Sequence, residues 1–309
     1  MTSEEPWYAL ERLRTLFGLS AFERDLLVLC AGQSLESRFA VGCASAQGDP
    51  RGTWPTFGLA LTILDDPHWS AVSAGGPLRY WHLVDLEQGN LLHAPLHLDE
   101  RILAFLLGVP AVDERLAALV RPIPAEPAPP DADAWAGAGA DSPQQAVVRA
   151  GARHWARAAA PREPLLLIGR HRSVRQAAFV GICQRSGLAP YILDANDIPA
   201  APAEREHLAR LWTREAALTG AALCVPTEDC GSVRHVSAWL EATQAPVAVE
   251  VRPGTTAEQL DGLRRDVLRR QLHPPPQARR VQAELRPQAQ RPDLQPPGRA
   301  VPSVLRGRS

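Results

Sequence analysis

Apolar residues recur at helical spacing through the first third of the chain and give way to short unbroken runs in the second half. Residues 7–17 place Leu10, Leu13, Leu16 and Phe17 on one helical face. Ser20-Ala21-Phe22-Glu23 follows as a capping box, in which the serine and the glutamate each satisfy an orphan amide at a helix start. The helix it opens carries Leu26-Leu27-Val28-Leu29-Cys30, and further helices are predicted over 35–46 and 56–64. Residues 78–84 and 91–96 then predict two strands, with Glu87-Gln88-Gly89-Asn90 in the loop between them. A helix over 99–107 stops at Gly108-Val109-Pro110. Several helices, a two-stranded hairpin and a closing helix are compatible with a winged-helix arrangement over 1–122.

Residues 123–141 are rich in Pro, Ala and Gly and read as an extended linker. Ser142-Pro143-Gln144-Gln145 restarts structure with an N-cap and a proline at the first helical position. From there the pattern alternates. Helices are predicted over 143–159, 173–185, 203–218 and 233–241, and strands over 165–168, 191–193, 222–225 and 247–251. Continuously apolar strands separated by helices predict an α/β unit over 142–270, with a parallel sheet covered on both faces. Residues 271–309 lose all periodicity; Pro, Gln, Arg and Ala dominate, which predicts a disordered basic tail. That composition also resembles a GC-rich gene read out of frame, so a frameshift near Gln271 is expected. Translating the other two frames downstream tests this, and the idea fails if neither yields a folded-type sequence.

Charge changes the picture more than composition does. The chain has no lysine, so all 33 basic residues are arginine, and the net charge is −1. Residues 1–122 carry nine arginines against fifteen acids, whereas the last 48 residues carry eleven against three. An acidic N-terminal unit argues against duplex binding, which rests on basic surface neutralising phosphates. The five cysteines are scattered, without a Cys-x-x-Cys pair, as expected of reduced, buried thiols rather than disulfides or a zinc site. The chain offers neither a secretory start nor an apolar run long enough to span a bilayer, so a cytoplasmic location and no membrane partner are expected.

One segment has the outline of a phosphate-binding loop. Pro164 to Gln176 reads as strand, tight loop and helix start, the context of Gly-x-x-x-x-Gly-Lys-[Ser/Thr]. Only Gly169 survives from that pattern. Val174 replaces the second glycine, Arg175 the lysine and Gln176 the magnesium-binding hydroxyl. Arg170, His171, Arg172 and Arg175 converge near the helix start, so the candidate phosphate ligands are Gly169, Arg170, Arg172 and Arg175. The acid expected at the end of the 222–225 strand is replaced by Pro226; Glu228 and Asp229 follow as a weak stand-in. They also suit the start of the next helix, where acids favour the dipole.

Two further stretches carry a family resemblance. One runs Phe17-Gly18-Leu19-Ser20-Ala21-Phe22-Glu23-Arg24-Asp25-Leu26-Leu27 and continues through Cys30-Ala31-Gly32, Ser37-Arg38-Phe39-Ala40, Ala46-Gln47-Gly48-Asp49-Pro50 and Pro55-Thr56-Phe57-Gly58-Leu59-Ala60-Leu61. The other is Leu208-Ala209-Arg210-Leu211-Trp212-Thr213-Arg214-Glu215-Ala216-Ala217-Leu218. Over roughly residues 5–260 the chain resembles the AAA+ ATPases of extracellular, phage-tail-like contractile injection systems. The resemblance implies a winged-helix-like domain followed by a degenerate first AAA+ module, with ATP and magnesium as the family's cofactors. It implies injection-system proteins or other AAA+ subunits as partners, and a ring-forming homo-oligomer that powers assembly, loading or turnover of the particle. In such proteins a better preserved ATPase module normally follows, and this sequence ends before one. The expectation is therefore a truncated, partner-binding relative without its own hydrolysis. The alternatives are an ATP-binding subunit completed by another chain or a downstream fragment, and a nucleic-acid-binding regulator.

Overall fold

The computed structural model describes residues 5–124, 143–157, 164–227 and 233–252. The N-terminal part begins with α1 (Glu5–Phe17), α2 (Ala21–Leu35), α3 (Arg38–Gln47) and α4 (Phe57–Ile63). A 3-10 turn (Trp69–Val72) and α5 (Pro77–Tyr80) lead to the antiparallel pair β1 (Val84–Leu86) and β2 (Leu96–Leu98), then α6 (Glu100–Leu106) and α7 (Glu114–Ala117). The capping box forms as the sequence dictates. The Glu23 amide donates to Ser20 Oγ at 3.1 Å and the Ser20 amide to Glu23 Oε2 at 2.8 Å. Leu13, Phe22, Leu26, Leu27, Phe57, Leu78 and Trp81 make the core of this part.

The hairpin lies later in the chain than its apolar pattern predicts. Residues 77–80 form a helical turn because Pro77 stands at its first position, and the Tyr80 amide reaches the Gly76 carbonyl at 2.8 Å. His82 then takes a left-handed φ of 50°, which redirects the chain before β1. Leu91 to Ala94 precede β2 rather than belonging to it.

The second part contains β3 (Val120–Pro122), α8 (Pro143–Arg157), β4 (Leu165–Ile168), α9 (Arg172–Ser186) and β5 (Ala189–Leu193). It continues through α10 (Pro202–Thr219), β6 (Ala221–Pro226), α11 (Val233–Ala242) and β7 (Val247–Val251). The sheet order is β3-β5-β6-β7-β4. The four later strands run parallel, but β3 pairs antiparallel with β5, so the sheet is mixed rather than wholly parallel. This strand draws residues 120–122 into the second sheet, a pairing too short for any periodicity to announce.

The crossover from β4 to β5 runs one way across the sheet and the next two return. Right-handed crossovers then require helices on opposite faces. Accordingly, Leu211 and Trp212 of α10 and Val236 and Trp239 of α11 pack on Leu223, Val225, Val247 and Val249. Val148 and Trp155 of α8 and Phe179 and Ile182 of α9 pack on Ala222, Cys224 and Ala248. Alternate residues of β6 serve opposite cores, which is why that strand reads as an unbroken apolar run.

The two parts meet along α10. Ala217 and Leu218 belong to the N-terminal core. Arg101 forms a bidentate pair with Glu215, at 2.9 Å from Nε to Oε2 and 2.9 Å from Nη2 to Oε1. Arg214 is fully buried and binds Asp113, Asp99 at 3.2 Å, and the carbonyls of Trp81 and His82. Arg115 closes the network on Asp99 at 2.6 Å and Asp113 at 2.9 Å. Three cations meet three carboxylates here.

Breaking such a pair from one side leaves a buried charge uncompensated, at about 3–5 kcal/mol. Glu215→Ala is expected to lose stability of that order in urea titrations, whereas the paired change Arg101→Met with Glu215→Leu loses much less. The joint also responds to pH. His82 and His207 stack edge to face at 4.8 Å. Burial, the neighbouring His207 and nearby arginines hold His82 down to about 4, and burial with the same arginines lowers His207. Both histidines take up protons more readily unfolded than folded. Stability is therefore full above about pH 6.5 and falls toward pH 4. Urea midpoints across that range check this, with a shallower fall expected for the double variant His82→Gln, His207→Gln.

Candidate functional site

The carboxyl ends of β4, β7 and β6 lie where an open α/β sheet places its ligand, since the helices that follow β4 and β6 cover opposite faces. Each strand end contributes a distinct element. Between β4 and α9 lie only Gly169, Arg170 and His171. A phosphate-wrapping loop needs more residues than that before its helix, so Val174 and Arg175 fall inside the first turns of α9 rather than in a loop.

Arg175 points into the molecule. Its side chain is 2 % exposed, and its guanidinium donates from Nη1 to the Gly169 carbonyl. Its Nε lies 3.5 Å from Oε2 of Glu250, whose side chain is 1 % exposed. Gly169 permits this, since a Cβ there would stand 3.3 Å from Arg175 Cγ. Glu250 is the penultimate residue of β7, in register with Leu167 on one side and Pro226 on the other. The Cys224 thiol donates to Glu250 Oε1 at 3.1 Å. Thr227 fastens the strand end, giving its amide (3.1 Å) and hydroxyl (2.8 Å) to the Glu250 carbonyl.

The predicted ligands therefore separate. Gly169 and Arg175 come together, but as an internal contact that turns the cation away from solvent. Arg170 and Arg172 stay exposed at the start of α9, where His171 makes no side-chain cap. Glu228 and Asp229 lie outside the described residues. Sequence reasoning missed Glu250, although a lone acid within Val-Ala-Val-Glu-Val was its signal. A charge in a buried strand needs a partner.

Among the described residues of this region, the groups at the motif positions do not fit a nucleotide with magnesium. Pro226 is buried at the end of β6, Gln176 is a weak metal ligand, and Val174 is exposed where the backbone of a phosphate loop must approach its ligand. Among the described residues no group of three or more His, Cys, Asp or Glu could hold a metal. No described helix is long and apolar enough to cross a membrane. A cavity of about 360 Å³ lies elsewhere, beside Ser20, Glu23, His68 and Ser70. Ser20 is committed to capping α2 and to His68 at 2.8 Å.

A family model described as a winged helix domain, variant, matches residues 1–120. The N-terminal part is a winged helix domain. No curated protein and no solved structure matches the chain. In this winged helix domain α3 exposes Arg38, Val41, Gly42, Ser45 and Ala46, a face with a single charge.

The four described cysteines are free and buried. Burial, and then the Glu250 carboxylate, push the Cys224 thiol well above its ordinary value, and burial pushes Cys30 up to about 12. Because the thiolate is the reactive form, iodoacetamide at pH 8 is expected to leave Cys224 unmodified in native protein and to label it in urea. Mass spectrometry of the peptide decides between these outcomes.

Proposed function

We propose that this chain is a degenerate AAA+-like component of a contractile injection system, one that binds protein partners and does not itself hydrolyse ATP. One observation carries the reading: Arg175 takes the place of the phosphate-binding lysine in sequence, yet its charge is used on Gly169 and Glu250 inside the fold. Support for the scaffold comes from the mostly parallel sheet with helices on both faces, and from the β4–loop–α9 unit at its switch point. Support for the system comes from the segments that resemble the family. The second of these segments holds Arg214 and Glu215, both buried and paired across the joint between the two parts, while its Thr213 bonds within the second part to the Ala209 carbonyl and the Gln244 amide. In this reading a rigid pair of domains presents a surface to particle components or to other AAA+ subunits.

Phosphate release from MgATP by the purified chain is expected to stay at background, with or without Arg175→Ala. Turnover above background that Arg175→Ala abolishes contradicts the reading. Sheath, tube, baseplate and ATPase proteins from a contractile injection system serve as prey in binding assays, and no binding to any of them counts against the partner role.

The winged helix match favours a second reading, duplex DNA binding. Fifteen acids against nine arginines in residues 1–122 oppose it. A gel shift on duplex DNA is expected to be absent when residues 271–309 are deleted. A sequence-selective shift that survives the deletion supports the second reading.

A further inference from the structure

Glu250 is more than a buried acid that happens to find a cation. Three strands converge at its position: β7, which carries it, and β4 and β6, whose residues Leu167 and Pro226 flank it. It is one residue from the carboxyl end of β7, on the face covered by α9. Around its carboxylate the fold assembles the donors an oxyanion needs. They are the Arg175 guanidinium, an ion pair at 3.5 Å, and the Cys224 thiol at 3.1 Å, while Arg170 and Arg172 stand exposed at the start of α9. A carboxylate and a phosphate offer a guanidinium the same kind of acceptor oxygens. With Glu250 present, Arg175 has a counter-charge and an incoming anion meets a like charge.

We infer that Glu250 acts as a built-in anion, standing where a phosphate-sized oxyanion would otherwise meet Arg175, so that removing its side chain uncovers a latent oxyanion site at the end of the sheet. The inference rests on reading this crevice as a degenerate nucleotide site. It assigns Glu250 two effects, blocking external phosphate and neutralising Arg175. Loss of the carboxylate leaves a buried guanidinium beside a newly vacated space, and inorganic phosphate supplies the missing charge and acceptors.

The test uses the full chain as wild type, Glu250→Ala, Glu250→Ser and Glu250→Ala with Arg175→Met. Thermal unfolding is followed in potassium phosphate and in potassium chloride of equal ionic strength. Phosphate stabilises folded proteins in general, so the wild type sets the baseline. Glu250→Ala and Glu250→Ser are expected to gain about 5 °C more from 50 mM phosphate than the wild type gains. The Arg175→Met background should erase the excess. Equal gains in all four proteins overturn the inference, as does an excess that persists without Arg175.

If both single variants fail to fold in chloride, recovery of folded protein on refolding in phosphate is the readout. Recovery in phosphate alone supports the inference, and failure in both salts overturns it. Saturable phosphate or ATP binding by the wild type instead defeats the parent reading. Absence of wild-type binding together with absence of rescue defeats only the role given to Glu250.

Discussion

The direction in which one arginine points organises the second half of this molecule. Arg175 begins an internal circuit that runs from the Gly169 carbonyl through the guanidinium to Glu250, and from there to the Cys224 thiol. A buried charge is tolerated only when paired, and this one ties the end of β4, the first turns of α9 and the ends of β6 and β7 into one cluster. The three-residue connection after β4 is short enough to hold the arginine over Gly169, and the glycine is small enough to accept it. Arg175 therefore serves as a structural contact. In the proposed reading, the cation that a phosphate would need is engaged inside the fold instead.

A similar economy operates between the two parts. Arg214 and Glu215 are adjacent on α10, yet they engage different partners, Asp113 and Asp99 for the first and Arg101 for the second. The carbonyl of His82 completes the arrangement because that residue takes a left-handed conformation. Such pairs are weak sources of net stability, but they penalise every misplaced docking, since a shifted helix strands charges in the interior. The apolar contacts of Ala217 and Leu218 supply attraction, and the charges fix the geometry.

Much of this was legible in the sequence. The capping box at Ser20 and Glu23, the helices read over 7–17 and 203–218 and the apolar strands at 165–168 and 247–251 follow directly from spacing and turn chemistry, as does the winged helix outline. The early hairpin was misplaced because the mixed segment from Leu78 to Val84 suits either a turn of helix or a strand, and Pro77 with the unusual φ of His82 decides it. β3 escaped notice because three residues carry no period. At the candidate site, the sequence places Gly169 and Arg175 in one strand–loop–helix segment but does not show where Arg175 points. Side-chain direction depends on Glu250, some 75 positions away, and only the register of β7 against β4 brings the two together.

Calorimetric titration of MgATP into the full chain tests the central claim most directly, because it reads occupancy without requiring turnover. With Arg175 held by Glu250, no saturable heat is predicted at nucleotide concentrations up to about 1 mM, the range of a weak surface anion site. Magnesium-dependent binding in the micromolar range that disappears in Arg175→Ala would contradict the account.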